Sequence, residues 1–159
     1  MTTTRIVDIT KFVKFQFDGM KDKSGHPYAD HSIRVAEKAA TFGTNKSVKE
    51  SLYVVGILHD IFEDTSTLAC HLTDLGVSAD ELEAIYGVTN NFNGGKKLLP
   101  FDKFIDRTIE AGYLSTVVKF VDVMDNLTRP KHEGFKYAEK LDALAKLSAA
   151  MKTVIHNGI

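Results

Sequence analysis

The stretch "GILHDIFEDT", residues 56–65, places His59, Asp60, Glu63 and Asp64 within an otherwise apolar run. Burying one unpaired charge is expensive, and three carboxylates side by side need a cation among them. A neutral imidazole with several carboxylate oxygens suits a divalent ion such as Mn²⁺, Fe²⁺, Mg²⁺ or Zn²⁺. On a helix, His59 and Glu63 are four residues apart, as are Asp60 and Asp64, so each pair shares one side. His59 and Asp60 diverge by about 100°, and both reach inward only if other helices surround them. Two further segments offer the same combination. His31 opens a second apolar-periodic stretch, and "VVKFVDVMDNLTR" (117–129) sets Asp122, Asp125 and Asn126 among valines and aromatics. Metal ligation relieves the burial cost at all three places together. Without thiolates nearby, a structural zinc site is not expected.

The elements that must carry these residues are helical. Ile6 to about Met20 has an apolar stripe of Ile9, Phe12 and Val13. A helix from about His31 to Phe42 stops at Gly43, a natural residue just past a helix end. Ser47 and Glu50 have capping-box spacing and are expected to start a helix running through "SLYVVGILHDIF"; Ser78 and Glu81 repeat the spacing before "ELEAIYGVT". Phe101 to Ala111 and Leu114 to Leu127 are two more. Phe135 to Ile155 reads as a long amphipathic helix with Ala138, Leu141, Leu144, Ala145, Leu147 and Met151 on its apolar side. Pro27, Pro100 and Pro130 fall in connections, "KDKSGHPY" (21–28) is a loop, and "NNFNGGKK" (90–97) reads as a flexible one. Gly56 is expected to allow two helices to approach closely. Val117, Val118, Val121 and Val123 keep helical spacing, so the expected class is all-α, with one domain spanning 1–159.

Bulk properties narrow the partners. The 159 residues are 43% hydrophobic and 26% charged, with a net charge of −1. That balance gives no general attraction to nucleic acid or to an anionic membrane surface. No apolar run approaches the roughly 20 residues of a membrane span, and the N-terminus lacks the apolar core of a secretion signal. Cys70, the single cysteine, excludes an internal disulfide, so a reducing, cytoplasmic location is the expectation. Charge is unevenly spread: Ser51 to Gly95 holds seven acidic residues and no Lys or Arg. The six Lys/Arg against three Asp/Glu in 129–159 read as a solvated helix face. His26, His71, His132 and His156 lack a partnered motif and are assigned to the surface or to supporting positions.

"HSIRVAE", "GILHDIFEDT" and "VVKFVDVMDNL" resemble, in order and spacing, the metal site of the HD-domain phosphohydrolases. "KSGHPYADH", "LHDIFEDT", "YGVTN" and "VKFVD" narrow the resemblance to the Rel/SpoT-type hydrolase domain and its small stand-alone homologues. It covers about residues 12–130, with the C-terminal helix (about 134–156) beyond it. The resemblance implies a compact HD-domain helical bundle with one divalent metal, Mn²⁺ in the family, held by His31, His59, Asp60 and Asp122. Glu63 and Asp64 would orient or deprotonate the attacking water. Lys23, Ser24 and Tyr28 would lie in the substrate-contacting loop, and Asn126 would contact the nucleoside. The implied reaction removes the 3′-pyrophosphate from guanosine tetra- or pentaphosphate; small members also act on other nucleotides, such as the 2′-phosphate of NADPH. Deoxynucleoside monophosphates are a further substrate class, and a nucleotide-sensing module without turnover is the non-enzymatic alternative.

The chemistry fits these residues on its own terms. A metal-bound water is acidified towards neutral pH, and Glu63, one turn from His59, is placed to take its proton. A polyphosphate needs a basic rim over the acidic segment, with Lys21, Lys23, Lys96, Lys97 and Arg129 as candidates. Some positions depart from the family pattern. Asp22 stands where an Arg usually packs against guanine, and a carboxylate can neither stack so nor attract an anion. Asp125 replaces an aromatic residue or His, Thr128 and Arg129 are reordered, and Ser32 replaces a common Pro. The expected metal set is complete, while the set that would recognise a base is altered.

Overall fold

A computed structural model describes residues 3–129 and 133–156. The expectations for Pro130 and His132, and for the side chain of His156, lie outside these. The described residues form helices α1 (Thr4–Gln16), α2 (Ala29–Ala40), α3 (Lys46–Ile57), α4 (Ile61–Asp64), α5 (Ala69–Asp74), α6 (Ala79–Gly87), α7 (Phe101–Glu110), α8 (Tyr113–Thr128) and α9 (Tyr137–His156). No strand occurs among them, only an isolated bridge between Lys21 and Pro27. The all-α expectation holds.

α2, α3 and α8 pack together at the centre and carry the main core, in which Val35, Ala36, Leu52, Val55, Ile57, Leu58, Ile85, Val117 and Val118 are fully buried. Gly56 lets α2 and α3 meet, as expected: a Cβ there would lie 2.7 Å from the Ala36 Cα, so no larger residue fits. A smaller cluster of Ile105, Val123, Ala143 and Leu147 joins α7, α8 and α9. α9 therefore buries a narrower stripe than its composition suggests. Ala143, Leu147 and Met151, at four-residue spacing, face inward, while Ala138, Leu141 and Ala145 are exposed.

Two local expectations change. α3 is capped by Asn45, whose side chain accepts the Val48 N–H at 3.0 Å, in place of the Ser47–Glu50 box. Glu50 is drawn away by Arg5, 3.0 Å distant, on α1. The Ser78–Glu81 box forms as expected, with reciprocal bonds of 3.2 and 2.9 Å. The second change concerns the opening motif. The helix does not continue through it: α3 ends at Ile57, Leu58 to Asp60 form a turn, and α4 is a separate four-residue helix.

Candidate active site

That break decides the geometry. In an unbroken helix His59 and Asp60 would diverge; in the turn both face the same point, with His59 Nε2 3.2 Å from Asp60 Oδ2. α2 brings His31 Nε2 to 3.2 Å from His59 Nε2. α8 brings Asp122 Oδ1 to 3.0 Å from His31 Nε2 and 3.4 Å from His59 Nε2. His31 Nε2 lies 3.8 Å from Asp60 Oδ2, and His31, His59 and Asp60 place ligand atoms within 4.8 Å of one another. Ligand atoms about 2.1 Å from one ion lie about 3.0 Å apart at a right angle and about 3.4 Å apart at the tetrahedral angle. The observed spacings fall around those values.

The hydrogen bonds behind the rings point the same way. His59 Nδ1 lies 2.7 Å from the Gly56 carbonyl, which can only accept, so Nδ1 carries the proton and Nε2 presents a lone pair. His31 Nδ1 lies 2.6 Å from Asp125 Oδ2, with the same consequence. The two Nε2 atoms thus each face an Asp60 and an Asp122 oxygen, acceptors that need a proton or a metal ion between them. Burial disfavours protonation of His59, yet Asp60 and Asp122 outweigh it and hold its pKa well above the ordinary 6.5. The same negative field attracts a divalent cation, and the donor set fits one.

The residues around the four have partners of their own. Burial raises the Glu63 pKa, opposed by Lys119, and Glu63 Oε2 accepts the Asn90 N–H at 2.6 Å. Asp64, also raised by burial, accepts the Tyr28 hydroxyl at 2.6 Å. Tyr28 is itself held protonated by burial and by the charge of Asp60. Lys119, three residues before Asp122 on α8, places its Nζ 2.9 Å from Asp122 Oδ2 and leaves Oδ1 to the cluster. Burial lowers the Lys119 pKa, but Asp122 and Glu63 outweigh it and keep the amine charged. Asn126 donates to Asp122 Oδ1 at 3.0 Å.

These groups open onto a cavity of about 310 Å³ lined by Asp22, Tyr28, His31, Asp60, Glu63, Asp64, Lys97, Lys119, Asp122, Asn126 and Arg129. Its wall carries five carboxylates against three cationic side chains, an excess of two negative charges that one divalent ion would match. Of the expected site residues, Tyr28, His31, Asp60, Glu63, Asp64, Asp122 and Asn126 line the cavity, and His59 is buried against His31, Asp60 and Asp122. Lys23 and Ser24 are exposed and do not line the cavity. Of the expected basic rim, Lys97 and Arg129 reach the wall, whereas Lys21, Lys23 and Lys96 do not.

Lys119 escaped the sequence reading, although a lysine inside an apolar helix, one turn from a buried aspartate, was a usable signal. Asp22 also changes meaning. Its carboxylate accepts the Ser24 and His26 N–H groups at 2.8 and 3.0 Å, closing the 21–28 loop around Gly25. It also pairs with Arg129 at 3.3 Å. The loop at 90–97 is not free either. Asn90 and Asn91 are buried, and Asn93 and Gly94 donate to the Phe62 and Glu63 carbonyls at 2.8 and 2.7 Å, fastening the loop to α4. His71 is a supporting residue, accepting the Leu68 N–H at 2.9 Å at the start of α5.

No family model matches the chain, and no curated protein matches it in sequence. Solved structures do match. One, described as "A metazoan ortholog of SpoT hydrolyzes ppGpp and plays a role in starvation responses", has a TM-score of 0.70 and 18% sequence identity, covering 99% of this chain and 97% of that one. The chain thus has the all-α HD-domain fold of a metazoan SpoT-type ppGpp hydrolase.

Proposed function

We propose that the chain is a divalent-metal-dependent phosphohydrolase that removes the 3′-pyrophosphate from guanosine tetra- or pentaphosphate. The carrying observation is that His31 and His59 Nε2 lie 3.2 Å apart and each stands within 3.0–3.8 Å of an Asp60 and an Asp122 oxygen, with His31, Asp60 and Asp122 on the wall of a cavity also lined by Glu63, Asp64 and three cationic side chains. Those four residues are the ligands, Mn²⁺ the expected ion and Fe²⁺, Mg²⁺ or Zn²⁺ the alternatives. When bound, the ion supplies an acidified water and neutralises phosphate oxygen charge.

The chain's own residues do the rest. Asn90 fixes one oxygen of Glu63, leaving Oε1 to accept a proton from the attacking water. Asp64, oriented by Tyr28, holds that water by a second hydrogen bond. Lys97, Lys119 and Arg129 meet phosphate oxygens and stabilise charge developing on the leaving group. Asn126, on the same wall, contacts the nucleoside; Lys23 and Ser24 approach substrate only at the outer edge of the loop. The partner is a small phosphorylated nucleotide, with neither nucleic acid nor membrane involved, and the setting is cytoplasmic. Among the described residues no helix is long and apolar enough to cross a membrane.

The Asp22–Arg129 pair favours a second reading. With a carboxylate at the cavity edge and its guanidinium partner engaged, guanine recognition is weakened, and NADPH or a deoxynucleoside monophosphate becomes the alternative substrate. A nucleotide sensor without turnover is the weakest reading, because Glu63 and Asp64 both line the cavity. One substrate panel decides. Purified protein with Mn²⁺ is offered guanosine tetraphosphate, NADPH and deoxynucleoside monophosphates, with pyrophosphate and phosphate release measured beside metal content. Pyrophosphate from the tetraphosphate supports the first reading; phosphate from another nucleotide selects the second. No release from any of them, despite bound metal, leaves only the sensor.

A further inference from the structure

We infer that Asp125 is a positioning residue for the metal centre, holding the His31 imidazole in its metal-binding tautomer and orientation. This rests on the proposed metal site, and it turns an apparent irregularity of the sequence into part of that site.

α2 and α8 face each other with two residues apiece at a spacing of three: His31 and Arg34 on one helix, Asp122 and Asp125 on the other. The inner contact is His31 Nε2 to Asp122 Oδ1 at 3.0 Å. The outer contacts are His31 Nδ1 to Asp125 Oδ2 at 2.6 Å and Arg34 to both Asp125 oxygens at 3.0 and 3.2 Å. Arg129 Nε forms an ion pair with Asp125 Oδ2 at 3.2 Å. Asp125 is thus held by two guanidinium groups while it accepts the Nδ1 proton.

Placement excludes a direct role. Asp125 meets the ring at Nδ1, the nitrogen remote from the ligand cluster, so it is no fifth ligand. It does not line the 310 Å³ cavity either. It lies instead on the wall of a separate groove of about 600 Å³, with Arg34, Phe42, Phe120 and Met124. A carboxylate behind a ligating imidazole increases the basicity of the opposite nitrogen and fixes the ring plane; removing such a partner typically weakens metal binding about 10–100-fold. The two arginines keep Asp125 from swinging away, so the carboxylate presents a fixed acceptor to His31.

The test measures metal binding without substrate. Mn²⁺ is titrated into metal-free wild type, Asp125→Asn, Asp125→Leu and Arg34→Gln, and the free ion is followed by electron paramagnetic resonance. Nitrogen-15 shifts of the His31 ring report its tautomer in the metal-free proteins. Asp125→Asn keeps an acceptor but loses the charge, and its Mn²⁺ dissociation constant should rise about tenfold with Nδ1 still protonated. Asp125→Leu should raise it towards about 100-fold and release the tautomer preference. Arg34→Gln should weaken binding less than either. If Asp125→Leu does not fold, Asp125→Asn decides alone. Folded variants that bind Mn²⁺ like wild type overturn the inference and leave the proposed function intact. A wild type that binds no divalent ion overturns both.

Discussion

Two buried polar clusters in this molecule are built in opposite ways. Around Glu81, which is only 1% exposed, donors match acceptors. Its carboxylate receives Arg5 twice, the Ser51 hydroxyl and the Ser78 N–H, filling its four acceptor positions. Around His59, also 1% exposed, two imidazole nitrogens and two carboxylate oxygens face one another as acceptors. The first cluster is closed: it ties α1, α3 and α6 together and needs nothing from outside. The second has acceptors in excess, and the function proposed above gives it a cation. Burial alone therefore does not separate architecture from function in this fold; the balance of donors and acceptors does.

The largest expected contrast comes from removing one residue of each cluster. His59→Ala should abolish metal binding and reduce turnover to that of a no-enzyme control, and the melting temperature should cease to respond to Mn²⁺. Stoichiometric metal in the purified variant would show that His59 is not a ligand. Next in size is Glu63→Gln, expected to lower kcat about 10²–10⁴-fold with metal content unchanged. Loss of metal in place of rate would move Glu63 into the ligand set. Glu81→Gln acts on stability instead. Leaving Arg5 and two serine groups imperfectly paired should destabilise the protein by about 2 kcal/mol in chemical denaturation, while metal content and kcat per folded molecule stay at wild-type values. A change in Mn²⁺ affinity would mean the two clusters are coupled.

Smaller and graded is the effect of pH, where the clusters should fail at opposite ends. The folded-state pKa of Glu81 is lowered: burial would raise it, but the Arg5, Ser78 and Ser51 bonds prevail. Its stabilisation is full above the ordinary 4.5 and is lost as pH falls through the lowered value. His31 and His59 are raised in the metal-free protein, so their contribution is full below the ordinary 6.5 and is lost as pH rises through the raised values. Melting temperature against pH, with chelator and with excess Mn²⁺, should show the alkaline loss only in chelator, since metal binding uses the deprotonated rings. At 100 times its dissociation constant the ion should add about 2.7 kcal/mol. An alkaline limb unchanged by Mn²⁺ would place the ion elsewhere.

Much of the frame was legible in the chain. Apolar periodicity marked the core helices, Ser78 announced α6, and Gly56 signalled close helix packing. The clustering of polar residues within apolar helices marked three segments as belonging together, and the family resemblance picked His31, His59, Asp60 and Asp122 out of them. Other features were not legible, for a common reason: their partners are distant in sequence. Asp125 reads as an odd residue beside Asn126 until His31, 94 positions away, is seen against it. Asp22 reads as a repulsive charge until Arg129, 107 positions away, pairs with it. Glu50 reads as a cap until Arg5 claims it.

Residue types and local spacing determined that the protein is all-α and that three segments carry polar side chains embedded among apolar ones. Burying an isolated carboxylate is costly wherever it occurs, so the residues announce their need for a partner. Which partner each obtains was decided only by tertiary structure. The turn at Leu58–Asp60 aims His59 and Asp60 at one point, Lys119 and Asn126 engage Asp122, and Asp125 stands behind His31. Helical periodicity is set by bonds four residues apart, whereas these contacts depend on how α2, α3 and α8 cross, and that is fixed by the packing of the whole core.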